Sequence, residues 1–354
     1  MIKLTDDIKK LLKSLLLLSA FICVILFTNL LVDPGNIFGN DYAMKAAEIV
    51  ASERNVTNLE NFDDRDFLQC YVPLRKEDVD VLVLGSSRSM QVTKELTGVP
   101  ATFCAGVTGS DLRDCIGAYM LFRENSLIPD KVVFCAEYWF LSSGNLDSRA
   151  LTDYYEKFCS MTDNTAFKTP SLKRKKLKEL FSFTYFQSSL KYLISSENKL
   201  ELEATDNPDN TYPTRRNDGS YSYEESYRNR PIEEVENDAY NSTISNTLAR
   251  SFTGIDSQLV KQLEDFIVFM QNDGVEVSIQ LSPVHPTYYA HMTQSPDYTE
   301  IISTEDYYYS LEEKLDINCY GSLNPNLFSM VSSDFYDAQH PTALGIYKYF
   351  MTKR

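Results

Sequence analysis

Basic excess is what this chain most plainly lacks. Its 34 Lys and Arg stand against 50 Asp and Glu, a formal net charge of −16. Nucleic acid demands a basic footprint for its phosphates, so that class of partner is excluded. Histidine is scarce, with three in 354 residues, and none is spaced with cysteines as zinc ligands would be. No Cys-x-x-Cys occurs among the seven cysteines, at 23, 70, 104, 115, 135, 159 and 319. The residues give no metal site and no other cofactor. Cys23 lies in an apolar run, leaving an even number outside it, which permits disulfides in an oxidising compartment. Cys104 and Cys135, however, sit in strand-like apolar runs, where a free thiol packs as a small hydrophobe. No internal repeat is visible.

What is present begins with one long apolar run. Residues 15–32 carry no charge and reach the short end of what spans a bilayer. Lys3, Lys9, Lys10 and Lys13 precede it, so the positive-inside rule places a cytoplasmic tail at 1–14 and everything after the run outside the cytoplasm. A cleaved signal peptide is the competing reading. It would have a shorter apolar core and a small-x-small cleavage site, whereas Leu30-Leu31-Val32-Asp33-Pro34 follows, which favours an uncleaved anchor.

Beyond a lead-in at 33–78, with a helix expected over 42–54, the pattern is that of βαβ units. Aliphatic runs at 79–84, 101–105, 131–136, 275–281 and 317–320 read as buried strands of a parallel sheet. Helices with apolar spacing are expected between them at 112–125, 257–271 and 305–315, with a last one over 342–350. Residues 141–253 contain no clean strand and read as an insertion of two or three helices with a polar loop near 206–230. The basic run Lys173-Arg174-Lys175-Lys176-Leu177-Lys178 reads as a solvated helix face, with anionic lipid or a polyanionic substrate as the alternative.

The chemistry gathers at the carboxyl ends of the strands, where ligands bind in open α/β sheets. The first strand ends in Gly85-Ser86-Ser87-Arg88-Ser89, where serines read as helix N-caps, and Ser86 and Ser89 as capping or packing residues. The second ends in Gly106-Val107-Thr108-Gly109-Ser110-Asp111, the third in Glu137-Tyr138-Trp139, and the fourth in Ser282-Pro283-Val284-His285. The closing loop carries Asp337-Ala338-Gln339-His340. A serine nucleophile needs a base, and the base an orienting carboxylate. Asp337 and His340, three apart at the entry to a helix, can share a face. Backbone N–H groups at the serine turn and at Gly109 could hold a developing oxyanion. Arg88 either pairs on the surface or faces an anionic substrate. His285 either lines the pocket or is a surface or satisfied histidine. Glu137, Tyr138 and Trp139 are expected as pocket wall rather than catalysts. The α/β-hydrolase elbow is excluded, because Gly-x-Ser-x-Gly would need glycine at 89.

These blocks, over about 80–350, resemble the SGNH (GDSL-like) hydrolase superfamily in order and spacing. Gly85-Ser86-Ser87 resembles its first block, which implies Ser87 as the nucleophile. Val107 to Asp111 resembles the second, which implies Gly109 as the oxyanion glycine. Asp337 and His340 resemble the last block. The third departs: Cys135-Ala136-Glu137-Tyr138-Trp139 stands where the family has Gly-x-Asn-Asp, so the asparagine donor is missing. An N-terminal anchor followed by Asp33-Pro34 is similar to the membrane-tethered branch, which includes proteins of polysaccharide O-acetylation and the D-alanine transfer protein of teichoic acid synthesis. The expectation is an α/β, flavodoxin-like three-layer α/β/α domain over 79–354. It has a central five-stranded parallel sheet, a large mostly helical insertion and an N-terminal transmembrane helix. The expected activity is an extracytoplasmic serine acyltransferase or esterase, acting on cell-envelope polysaccharide through an acyl-Ser87 intermediate. Acetyl is the expected group, and the resemblance implies a membrane-bound O-acyltransferase partner. The second reading is a non-catalytic glycan-binding scaffold, favoured by the lost asparagine and the tyrosine-rich insertion.

Overall fold

Runs of valine and leucine too apolar to face water on either side fix the centre of the molecule. The computed structural model describes residues 6–354 apart from 36, 40, 60, 61, 147–150, 168–171, 195–200, 247, 248 and 251. In chain order its strands are β1 (Asn55–Thr57), β2 (Val81–Leu84), β3 (Thr102–Cys104), β4 (Lys131–Ala136), β5 (Glu203–Thr205), β6 (Thr214–Arg215), β7 (Tyr221–Ser222), β8 (Glu276–Leu281) and β9 (Asn318–Gly321). The five aliphatic ones form a wholly parallel sheet in the order β3-β2-β4-β8-β9, so the chain is an α/β protein. β2 is buried along its whole length, as strands covered on both faces are. The chain runs from β2 to one neighbour, β3, and then crosses back to the other, β4. The topological switch therefore falls between β2 and β4, and a crevice opens at their carboxyl ends.

Helices between the strands start where the sequence offers caps. Asp111 caps Leu112–Glu124 in a reciprocal box with Asp114, and Asp256 caps Ser257–Asn272. The expected amphipathic character of Leu112–Glu124 is not seen, since even Arg113 and Asp114 are buried. Helix Thr152–Met161, from the insertion, covers its outer side. The approach is so close that a Cβ on Gly117 would stand 2.7 Å from the Leu151 Cβ.

The expected absence of strands over 141–253 is corrected. β5, β6 and β7 lie there and join β1 from the lead-in as an antiparallel sheet, order β5-β1-β6-β7. Strands of two or three residues are too short to show a period of two in sequence.

The chain divides into two units, Met1–Tyr42 with Thr169–Leu200, and Ala43–Lys168 with Glu201–Arg354. Both sheets belong to the second. In the first, Ile8–Val32 of the helix Asp6–Val32 is long and apolar enough to cross a membrane, with a mean hydropathy of 2.7. Helices Leu172–Leu180 and Phe183–Ile194 pack against its last two turns.

Candidate active site

At the end of β2 the chain has no room for a side chain: a Cβ on Gly85 would lie 2.6 Å from Ser89 Oγ and 2.7 Å from Cys135 Cβ. Glycine there lets the following turn press against the end of β4. The serines are not caps of a helix, as the sequence suggested. The helix that follows is the single turn Lys94–Thr97, capped by Thr93. The Ser86 and Ser89 hydroxyls are spent inside the turn. Ser89 Oγ donates to the Ser86 carbonyl at 2.7 Å, and Ser86 Oγ donates to Glu137 Oε1 at 2.6 Å. Ser87 is left half-buried with its Oγ 2.9 Å from His340 Nε2.

The other imidazole nitrogen, His340 Nδ1, stands 2.8 Å from Asp337 Oδ2. Asp337 Oδ1 accepts the backbone N–H groups of Gln339 and His340, both at 2.7 Å, which fixes the carboxylate before the ring docks on it. The Tyr227 hydroxyl donates to Oδ2 at 2.7 Å. Burial works to raise the Asp337 carboxyl, but the hydrogen bond and attraction of His340, with the Tyr227 and Gln339 donors, outweigh it. The group is held well below the usual carboxylate range. Serine, imidazole and carboxylate thus form one line of contacts from three positions the sequence had singled out. Tyr223 closes over it, its hydroxyl donating to the Ser87 carbonyl at 3.1 Å and its ring 6.4 Å from the His340 ring.

Gly109 has φ +59, a left-handed conformation that glycine takes without strain, and it is exposed. Its loop is tied to the serine turn by the Val107 N–H, which donates to the Gly85 carbonyl at 3.0 Å. Neither the Ser87 N–H nor the Gly109 N–H donates to a group among the described residues. The lead-in segment grips the same loop. Asp64 Oδ2 accepts the Thr108 N–H at 2.8 Å, and Arg65 Nη2 donates to the Thr108 carbonyl at 3.1 Å. Arg65 also pairs with Asp114, and Asp64 with the buried Arg215.

Arg88, Glu137 and Tyr138 fall elsewhere than expected, and of the two readings of His285 the pocket-lining one is not seen. Arg88 is 3% exposed and Glu137 2% exposed, so neither is on the surface; both border only a small recess with Cys135, Gln280, Ser282 and Tyr349, which no member of the serine line lines. They form a buried ion pair, Nη1 to Oε2 at 2.6 Å, across the β2/β4 switch point. Arg88 further donates to the carbonyls of Ser282, Pro283 and Gln339, so its guanidinium is turned into the protein. Tyr138 packs into an apolar cluster with Val284, Tyr288 and Tyr298. His285 is fully buried, and its Nδ1 accepts the Thr287 N–H as the cap of helix Pro286–Met292. Burial lowers its pKa, and no contact links it to Ser87. The cysteines are free, and burial pushes the Cys104 and Cys319 thiols up to about 12, far from a reactive thiolate.

Tyr223, Tyr227, Asp64 and Arg65 are the contributors that sequence reasoning missed. A cavity of about 390 Å³ lined by Tyr71, Arg75, Glu77, Lys94, Thr102 and Asp218 lies at the amino end of β3, and no member of the serine line borders it. Among the described residues no group of three or more His, Cys, Asp or Glu is placed to hold a metal ion. Comparison with known proteins finds no matching family model, no matching curated protein and no matching solved structure.

Proposed function

We propose that the chain is a serine acyltransferase or esterase of SGNH type, and the observation that carries this is the Ser87–His340–Asp337 line of contacts. Ser87 Oγ attacks the carbonyl carbon of an ester while His340 Nε2 takes the hydroxyl proton. Asp337 holds Nδ1–H and balances the charge that forms on the ring. The Ser87 and Gly109 N–H groups receive the negative charge on the carbonyl oxygen. Collapse breaks the bond to the leaving alcohol, which takes the proton from His340 and leaves acyl-Ser87. Water or a sugar hydroxyl then gives its proton to His340 and takes the acyl group, restoring Ser87. With no asparagine in the third block, the two backbone donors carry the oxyanion alone.

The β3-β2-β4-β8-β9 order favours a flavodoxin-like three-layer arrangement of the domain. The apolar N-terminal helix and the lysines before it favour a single-pass anchor, with its N-terminus in the cytoplasm and the site outside it. A site on that side meets the sugar hydroxyls of the cell envelope, so polysaccharide is the acceptor we assign. Acetyl is the group transferred, with a membrane-bound O-acyltransferase as the partner that supplies it.

The test is to trap the intermediate. Brief exposure to an activated acetyl ester, quenching in acid and peptide mass analysis should find one acetyl group on the peptide carrying Ser87. His340→Ala should slow its appearance by about 10²–10⁴-fold, the range for a general base. Wild-type protein that is never acetylated would leave the scaffold reading in its place.

A further inference from the structure

Helix Phe183–Ile194 has three faces, and only two have an explanation. One docks on the apolar helix Asp6–Val32: Ser189 is fully buried there, and its Oγ lies 3.4 Å from Asn29 Oδ1. Asn29, fully buried too, turns its amide on the carbonyls of Leu180 and Ser182, both at 3.0 Å, and Glu179 at 3.3 Å. The Leu180 carbonyl is one that the end of helix Leu172–Leu180 would otherwise leave unpaired, while the Glu179 and Ser182 carbonyls also accept the Ser182 and Phe186 N–H groups. Below them the Tyr185 hydroxyl donates to Asp33 Oδ1 at 2.5 Å and accepts the Gly35 N–H at 3.0 Å. A second face, with Thr184, Gln187, Ser188 and Lys191, is polar and exposed. The third is apolar. Phe183, Phe186, Leu190, Leu193 and Ile194 recur at helical spacing as a stripe about 100° wide. Phe183, Leu190, Leu193 and Ile194 are 51%, 39%, 57% and 79% exposed. Phe181 and Leu177 extend it, and the exposed Arg174 and Lys178 stand on the helix before.

We infer that this helical pair lies in the surface of an anionic bilayer, with the stripe in the acyl boundary and the basic residues among the headgroups. The inference rests on the proposed membrane span. The pair is fixed to the last two turns of that span, through Ile25 and Asn29, so the stripe continues the span's own exposed apolar surface at the depth where chains meet headgroups. An amphipathic helix with cations beside its apolar face suits that layer, and lysine and arginine there gain from anionic lipid. Asn29 can sit so near the hydrocarbon because its amide is fully engaged with protein.

The full chain is reconstituted into phosphatidylcholine vesicles with and without phosphatidylglycerol, whose acyl chains carry bromine at a shallow or a deep carbon. One variant carries Leu190→Trp on the stripe, and another Phe21→Trp within the span. Trp139, the single tryptophan of the parent chain, gives the baseline. The Leu190→Trp indole should be quenched best by shallow bromine, at a depth of about 5–10 Å below the headgroups. The Phe21→Trp indole should be quenched best by deep bromine. Adding Arg174→Gln, Lys176→Gln and Lys178→Gln should lift the Leu190→Trp indole outward in phosphatidylglycerol vesicles and leave it unmoved in pure phosphatidylcholine. Deep quenching of Phe21→Trp with Leu190→Trp at baseline would overturn the inference and keep the span. Baseline quenching of both would overturn the span and the inference with it. A Leu190→Trp indole at baseline in protein that runs as a dimer would assign the stripe to a second copy, and an unchanged depth in the Gln variant would remove the anionic lipid.

Discussion

Asp337 holds more of the site's order than any other single side chain, because four donors converge on its two oxygens. Its depressed pKa has a consequence for stability. A carboxyl whose folded pKa lies below its unfolded value of about 3.9 stabilises the fold above that value, and the contribution fades as pH falls toward the folded pKa. Asp337→Asn should therefore be less stable than wild type at neutral pH, with the gap closing below about pH 4. Denaturant midpoints measured at pH 7, 5, 4 and 3 check this; a gap independent of pH would deny the carboxylate that role. That Ser87, Asp337 and His340 meet could be read from the sequence because each falls in a loop after a strand. Tyr227 could not: it lies 110 residues from Asp337 on the single helical turn Glu225–Arg228, in a stretch that reads as polar loop, and a single hydroxyl donor has no spacing to betray it.

Among the elements, the loops are held together by charge buried beneath the site. Arg88 joins the turn after β2 to Glu137 after β4, Ser282 and Pro283 after β8, and Gln339 beside His340. Burial raises the Glu137 carboxyl, and the pairing with Arg88 opposes that rise. Removing one partner leaves the other charged and unpaired in the interior. Arg88→Met should cost about 3–5 kcal/mol of unfolding free energy, and Arg88→Met with Glu137→Met together should cost less than Arg88→Met alone. Urea unfolding of the two variants decides it, and simple additivity would mean that the pair does not couple. The parallel strands were legible because each is an aliphatic run covered on both faces. The Arg88–Glu137 pair was not, since nothing local distinguishes a buried arginine from a surface one. The same holds for Asp64 and Arg65, whose partners lie 43 to 151 residues away.

For the whole molecule, the division into two units matters most. No local pattern marks residues near 169–200 as belonging with the N-terminal helix, because the amide of Asn29 and the hydroxyl of Tyr185 are single polar groups among apolar neighbours. A chain truncated before residue 43 should keep both sheets but uncover the helical pair, and should aggregate. Replacing residues 169–200 with a short polar linker in that truncated chain should restore monodisperse protein, by size exclusion, with unchanged circular dichroism. Unfolded protein in both cases would contradict the division.

Activation of Ser87 by His340 underlies every step of the proposed reaction. It is tested most directly by labelling the intact protein with a fluorophosphonate and locating the adduct by peptide mass analysis. One adduct, on Ser87, should form rapidly in wild type, slowly in His340→Ala and not at all in Ser87→Ala of unchanged melting temperature. Wild-type protein that stays unlabelled while folded, or an adduct at another serine that survives Ser87→Ala, would contradict it.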